Sequence, residues 1–515
     1  MNIPIVRLLA RRIAPLAFGA TTLGAAFVGA PSAASGVVMH PLVADWAFVG
    51  SSPTPPTQAQ CIAATSAGGT ARPRRCFNPT SMQNSYNISS LLASGNDGRG
   101  QTIAIIDSFG SAPIASDLNV FDNAFGVQHL CGEANYTCHT GDPTFKILEV
   151  QGSPPAVAPP PNNGTGLENH NLWALEVSLD VEWSHAVAPR ANILLVTTPT
   201  AEVLGVQGFP DMMKAEQFVI DHHLASVITQ SFGAGEETFG SAASLLSLRG
   251  AFQAAPGAGV TVLASSGDGG TANSFKTPVK NPGTIPFPSV GWPASDPLVT
   301  AVGGTYLCTN ADTGLVIDTA SPPASCQAAN NPTSDHDVTW PGSGGGYSHV
   351  FGTQPWQSAA LASYAATNQT GNAPLSTNRA IPDVAYNASP TSGVLVYSTE
   401  PPVTGLFCSA GTPCSSGWYV VGGTSASSPQ WAGLIAIANQ MNTSAGGKTM
   451  GYINPALYQL PSSDFFDVKI GNNQNQAHPS IPGYNAAPGW DPATGRGTPD
   501  AAKLIPDLIA YVNSH

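Results

Sequence analysis

A chain of 515 residues can bury a large core, as one α/β enzyme domain with long loops or as two domains. Only 10% of residues are charged, and 18 Lys plus Arg against 31 Asp plus Glu leave a net charge of −13. That balance argues against nucleic acid or anionic membrane as a partner, and it leaves the surface to Ser, Thr, Asn, Gln, Gly and Pro.

At the start of the chain, Arg7, Arg11 and Arg12 precede an apolar stretch from Ile13 to Ala30, and small residues follow near Ser32, Ala33 and Ala34. This is the order of a cleaved signal peptide over residues 1–34. The competing reading is an uncleaved anchor, and Pro15, Gly19 and Gly24 weigh against it. The Arg11-Arg12 pair matches a twin-arginine signal poorly, and no later apolar run is long enough to span a bilayer. Residues 35–76, rich in Pro, Ser, Ala and Gly with little periodicity, read as a low-complexity, poorly ordered leader; residues 77–515 read as the ordered domain. The eight cysteines fall as neighbours in sequence: Cys61 with Cys76, Cys131 with Cys138, Cys308 with Cys326, and Cys408 with Cys414. In an oxidising compartment this spacing predicts four local disulfides. A metal site is the weaker alternative, because no pair is Cys-x-x-Cys and no histidine is suitably placed.

From Phe77 onward, strand-length apolar runs alternate with helical patterns. Strands are predicted at Thr102–Asp107, Ile193–Thr198, Val227–Ser231 and Val260–Ser265, and helices at Met212–His222, Ala242–Ala254, Gln430–Asn442 and Asp500–Asn513. Such alternation predicts a parallel sheet with helices on both faces, with ligands beyond the carboxyl ends of its strands. Gly152–Gly166 and Ala320–Gly346 read as long surface loops.

The strongest chemical signal is Gly423-Thr-Ser-Ala-Ser-Ser-Pro429, between the apolar strand Trp418–Val421 and the helical run from Gln430. It sets Ser425 at a sharp strand-to-helix turn, at a helix N-terminus whose N–H groups and dipole help hold negative charge. A plain Ser-rich cap is the bland alternative. A nucleophilic serine needs a base, and the His-Gly-Thr-His setting of subtilisin-like proteases is absent. Asp107 ends the first strand as the subtilisin aspartate does, and it reads equally as a strand-end polar group; His170 and His185 read as surface or loop histidines.

In the place of the base stands Glu176-Val-Ser-Leu-Asp180-Val-Glu-Trp-Ser-His. On a helix, Glu176 and Asp180 share one face about 5–6 Å apart, and paired carboxyls raise one pKa and give a proton shuttle suited to acid. On a strand they stand roughly 13 Å apart. Leu175, Val177, Leu179, Val181 and Trp183 alternate like a strand, whereas Leu172, Leu175, Leu179 and Trp183 fit one helical stripe. Pattern alone leaves both open, with a solvated acidic face as the neutral reading. Finally, Thr261-Val-Leu-Ala-Ser-Ser-Gly-Asp268-Gly-Gly is an apolar strand running into a Gly-rich turn. In subtilisins an Asn donor to the oxyanion ends the matching strand; Asp268 can donate there only while protonated, which predicts an acidic optimum. Taken alone, Asp-Gly is commonly just a turn.

Together these segments resemble the sedolisins, or serine-carboxyl peptidases, from about Asn78 to the C-terminus. The same resemblance runs through Gly98–Asp107, Pro293–Thr305, Gly344-Gly-Gly-Tyr-Ser348 and Pro382-Asp-Val-Ala385. It implies a subtilisin-like parallel sheet in a single catalytic domain and a helix over Glu176. It further implies that Ser425 attacks the peptide carbonyl, Glu176 acts as general base and then acid, Asp180 orients it and shares its proton, and Asp268 supplies the oxyanion donor. The likeness also implies one structural calcium ion, held by the side chains of Asp467 and Asp491 and the carbonyls of Val468, Ala487 and Gly489; such an all-oxygen set suits calcium. The family usually has Gly where Ala487 stands, and a carbonyl ligand survives that change if the local φ is negative. Residues 36–75 are too few for the large folded propeptide usual in the family. The expected protein is thus a secreted, monomeric endopeptidase acting on proteins or peptides, with no nucleic acid partner and no membrane once the signal is removed. The rivals are a catalytically inactive extracellular binding relative and a neutral subtilisin-like hydrolase with an undetected histidine.

Overall fold

A computed structural model describes residues 40–41, 45–66, 73–150, 168–198, 208–276, 282–318, 326, 335–367, 373–399 and 415–515. The expected signal peptide over residues 1–34, the expected Cys408–Cys414 pair and the segment 152–166 lie outside the described residues.

In chain order, the first elements are β1 (His40–Pro41), β2 (Asp45–Gly50), α1 (Gln58–Ser66), β3 (Arg75–Phe77), α2 (Pro79–Ser85) and α3 (Ser89–Ala93). Next come β4 (Thr102–Ser108), α4 (Ile114–Phe125), β5 (Phe145–Glu149), α5 (Glu168–Val187), β6 (Asn192–Thr198), α6 (Gly208–Asp221), β7 (Val227–Gln230) and β8 (Phe232–Gly235). They are followed by α7 (Ala242–Leu246), α8 (Gly250–Ala258), β9 (Thr261–Ser265), the hairpin β10 (Ser274–Lys276) with β11 (Pro282–Thr284), β12 (Gly291–Trp292), β13 (Thr300–Leu307), β14 (Asp337–Thr339) and β15 (Gly346–Tyr347). The last third holds α9 (Ser358–Ala366), β16 (Ala380–Ile381), β17 (Val384–Asn387), β18 (Ser392–Ser398), β19 (Gly417–Gly422), α10 (Ser427–Ser444), α11 (Asn454–Leu457), β20 (Phe465–Phe466), β21 (Thr498–Pro499) and α12 (Ala501–Ser514).

The central sheet runs β14-β13-β9-β7-β4-β6-β5, with β17 also on β13. Every pairing in it is parallel except the β13–β14 pair. Its strands read as unbroken apolar runs because both faces are covered. On β4, Ile103 and Ile105 enter a core built with Leu175 and Leu179 of α5 and Leu434 and Ile437 of α10. Ala104 and Ile106 enter the opposite core with Phe209 and Met212 of α6 and Phe252 of α8. Each such fully buried large side chain contributes about 1.5–3 kcal/mol relative to exposure.

The four predicted strands are observed within a residue or two of their expected ends. The helix predicted over Ala242–Ala254 is instead two, α7 and α8, broken at Ser247–Arg249. Part of the segment expected as one loop from Ala320 to Gly346 is strand: β14 pairs with β13 on the central sheet. Three of the expected disulfides form, Cys61–Cys76, Cys131–Cys138 and Cys308–Cys326.

The leader departs most from expectation, because residues 45–66 and 75–76 are ordered elements. A second sheet, β2-β19-β18-β3, takes β2 and β3 onto the two edges of the β18–β19 hairpin. Edge pairing supplies the backbone partners that the segment's weak periodicity hid: β2 is half-exposed, so its apolar residues Trp46 and Phe48 pack singly on Tyr419. The Cys61–Cys76 bond and an Arg74–Asp45 ion pair at 2.6 Å tie its parts together.

Candidate active site

Ser425 sits where the second sheet meets a helix. β19 ends at Gly422, and Gly423 turns the chain at φ +137°, a conformation that favours glycine. A 3₁₀ turn, Thr424–Ala426, then leads into α10 with Pro429 in its first turn. The turn is held from β9: Ser265 Oγ donates to the Thr424 carbonyl at 2.8 Å, and the Gly267 N–H donates to Thr424 Oγ1 at 3.1 Å. Thr229 Oγ1 and Ser428 Oγ, 2.8 Å apart, fix the start of α10 to β7.

The segment bearing Glu176 and Asp180 is the helix α5, so the two carboxyls share one face. Residues 173–187 of it are all buried. α5 packs closely on α10: a Cβ at Gly433 would lie 2.7 Å from Val187 Cβ, so the approach that brings Glu176 to Ser425 needs glycine there.

Glu176, Asp180, Asp107 and Ser425 are each 0% exposed. Glu176 lies beside Ser425 and is perturbed by its hydroxyl, without a closed hydrogen bond between them; such contacts tighten when substrate binds. Ser231 Oγ, just beyond β7, donates to Asp180 Oδ1 at 3.0 Å. Asp107, which the sequence left equally as a strand-end group, joins this cluster: its charge acts on Glu176, and that of Asp180 acts on it. Burial, chiefly, raises all three carboxyls well above their ordinary range. The neighbouring carboxylates add to the rise at Glu176 and Asp107, while the Ser425 and Ser231 hydroxyls favour the charged forms of Glu176 and Asp180. Among the described residues no Lys, Arg or His bonds to any of them.

Asp268 approaches from the other side. The Thr424 N–H and Oγ1–H donate to its Oδ1 at 2.7 and 2.8 Å, leaving Oδ2 buried without a partner. Its packing pushes the pKa up to about 7, against the lowering effect of the two Thr424 donors. The carboxyl still borders a cleft of ≈ 420 Å³, lined also by Tyr306, Trp340, Pro390 and the Asp45–Arg74 pair of the former leader. A neutral carboxyl here has a proton to donate from Oδ2 toward a carbonyl at Ser425. All four carboxyl and hydroxyl residues singled out from the sequence thus converge. His185 does not match its expectation as a surface or loop histidine: it is buried in α5, 3.3 Å from Asp122. His170 falls in the first turn of α5.

No protein-family model matches the chain. Over 417 residues it is 31% identical to kumamolisin of Bacillus sp. strain MN-32, covering 81% of this chain and 61% of that protein. The solved structure of Pseudomonas sedolisin, a serine-carboxyl proteinase complexed with pseudo-iodotyrostatin, superposes with a TM-score of 0.58 at 25% identity, over 86% of this chain and 99% of that one. The chain belongs to the sedolisin family. Tripeptidyl-peptidase 1 of Mus musculus is 28% identical over 353 residues, 67% of this chain and 53% of that protein. This sedolisin spans 61% or less of the length of these curated relatives. Its subtilisin-like α/β sheet is the fold expected from the resemblance.

The residues that the resemblance implies for calcium lie around β20 and β21. Asp467 Oδ1 accepts from the Gly489 N–H at 3.1 Å, and Asp491 accepts from the N–H groups of Ala487, Ala493 and Thr494 at 2.8–3.0 Å. The two carboxylates therefore bracket the 487–489 backbone. The carbonyls of Val468, Ala487 and Gly489 accept no hydrogen bond among the described residues, and Ala487 keeps a negative φ. Burial pushes Asp491 up to about 7 and raises Asp467 as well, a desolvation that a bound cation would offset. This all-oxygen donor set fits calcium.

Proposed function

We propose that this sedolisin is an endopeptidase that hydrolyses proteins or peptides in acid, with Ser425 as the nucleophile. The observation that carries the reading is the group of buried carboxyls around a lone serine hydroxyl, with no basic side chain bonded to them among the described residues. Three neighbouring carboxyls in one desolvated site ionise stepwise. The Ser425 hydroxyl that faces Glu176 favours its charged form, and the reaction starts from the state in which Glu176 has passed its proton to the neighbouring carboxyls.

Glu176 takes the Ser425 proton as Oγ bonds to the peptide carbonyl carbon, and the oxyanion accepts a hydrogen bond from protonated Asp268. Glu176 then returns the proton to the leaving amine as the C–N bond breaks. In the second half it deprotonates water, whose oxygen bonds to the acyl carbon, and it hands that proton to Ser425 Oγ as the C–Oγ bond breaks. Asp180, hydrogen-bonded by Ser231, shares the proton and orients Glu176.

The catalytic domain is assigned to residues 77–515 together with the edge strands β2 and β3 that precede most of it, and export is directed by residues 1–34. Three disulfides support an oxidising compartment, and no described helix is long and apolar enough to cross a membrane. One structural calcium ion would be held by Asp467 and Asp491 with the carbonyls of Val468, Ala487 and Gly489, and it would fix the C-terminal loops. Digestion of a denatured protein from acid to neutral pH tests the proposal, using wild type, Ser425→Ala and Glu176→Gln. An acid optimum with both variants inactive is expected. Equal cleavage by all three would sink the mechanism, and a neutral optimum would favour a subtilisin-like hydrolase.

A further inference from the structure

About one and a half helical turns beyond Asp180, α5 carries a second buried polar cluster that plays no part in the proposed chemistry. His185 Nε2 donates to the Gln128 carbonyl at 2.7 Å and lies 3.3 Å from Asp122 Oδ2. Asp122, on the last turn of α4, is 0% exposed, and neither of its carboxyl oxygens has a hydrogen-bond partner of proper geometry. The loop after α4 brings His129 and Glu133 to the same point. One ligand atom from each of Asp122, His129 and Glu133 lies within 4.8 Å of the others. Glu133 Oε2 accepts from Asn119 at 3.1 Å and meets His129 Nδ1 at 2.5 Å, while its Oε1 accepts from the Leu130 N–H. The Cys131–Cys138 bond closes the loop that carries Glu133.

We propose that Asp122, His129 and Glu133, backed by His185, form a binding site for one zinc-class dication that ties α4 and its following loop to the C-terminal end of the catalytic helix. Two carboxylates and an imidazole are the mixed oxygen and nitrogen donors that such metals take, whereas calcium selects oxygen alone. Two buried acids also match the charge of one dication. Asp122 points unpartnered oxygens into the cluster, so it can ligate without first breaking a hydrogen bond. His129 has only to exchange Glu133 for the metal, and its side chain, 24% exposed, gives the ion a way in. His185 acts as the outer partner that orients Asp122. The site is separate from the all-oxygen set at Asp467 and Asp491.

The test uses untagged Ser425→Ala protein, stripped with chelator, saturated with calcium and titrated with zinc chloride at neutral pH by calorimetry and thermal melting. One equivalent of zinc is expected to bind and to raise the melting temperature. Asp122→Asn and His129→Gln should each weaken binding at least about tenfold, and Asp467→Asn should leave it unchanged. His129 is at the rim, so His129→Gln carries the test even if Asp122→Asn does not fold. Absence of zinc uptake by calcium-saturated protein, or uptake undiminished in His129→Gln, overturns the proposal.

Discussion

Helix α5 packs against two buried acidic clusters, one at its middle and one beside its C-terminal end, and the two keep different company. Around Glu176 and Asp180 the partners are a third carboxyl, Asp107, and the hydroxyls of Ser231 and Ser425. Around His185 the acids Asp122 and Glu133 face two imidazoles. Burial raises carboxyl pKa values in both places, but to different effect. At the catalytic end it is reinforced by like charges, whereas at Asp122 the pKa is pushed only up to about 6 because His185 pulls it down. Desolvation without a cation stores protons, and desolvation beside imidazole prepares for positive charge. One helix therefore holds an acid reservoir and an anchoring cluster, separated by little more than a turn.

The comparison is broken most severely by removing the nucleophile. Ser425→Ala is expected to lower kcat on the order of 10⁶-fold, measured by peptide hydrolysis at the acid optimum. Glu176→Gln, which keeps the shape and abolishes proton transfer, should cost about 10²–10⁴-fold. Asp268→Ala should cost about 10²–10³-fold. Asp268→Asn sharpens the point: an amide donates at any pH, so this variant should retain more activity than the alanine form. It should also lose the decline expected of wild type as pH rises through about 7, where burial sets the Asp268 pKa. At the other end of α5, His185→Gln should change kcat less than about tenfold while costing about 1–3 kcal/mol in stability, read from melts, because Asp122 is left buried with a weaker partner.

Stability should follow the same chemistry. A carboxyl whose pKa is raised by folding stabilises the fold fully below its ordinary pKa, and that contribution is lost as pH rises through the folded value, by about 1.4 kcal/mol per pH unit for each group between the two. Glu176, Asp180, Asp107, Glu182 and Glu216 all shift this way. Thermal melts of Ser425→Ala should therefore show the highest melting temperature in acid and a fall through neutrality. Chelation of calcium should lower the melting temperature further, an effect absent in Asp467→Asn.

Much of this was legible in the sequence where local patterns suffice. β4, β6, β7 and β9 are short apolar runs ended by polar residues, and the Ser425 turn announces itself through Gly423 and Pro429. The Glu176 segment is ambiguous for a physical reason: residues 173–188 are buried on every side, so apolar residues satisfy a two-residue and a 3.6-residue period alike. The order in residues 45–66 was hidden because β2 gains its partners from β19, more than 360 positions away. The role of Asp107 and the environment of His185 likewise depend on pairings between distant segments, which spacing along the chain does not encode. His185 reads as a loop residue because its partners, Asp122 and Gln128, come from α4 and the loop after it, more than 50 positions earlier.

The claim that the catalytic carboxyls hold protons while Ser425 reacts is tested most directly by infrared spectroscopy of the carboxyl stretch, comparing wild type with Glu176→Gln, Asp180→Asn and Asp268→Asn as pH is raised from acid. The account predicts protonated-carboxyl bands that persist well above the ordinary carboxylate range, with the Asp268 band lost near pH 7 and absent from Asp268→Asn. A spectrum in which these groups are all ionised at the pH of maximal activity would contradict it.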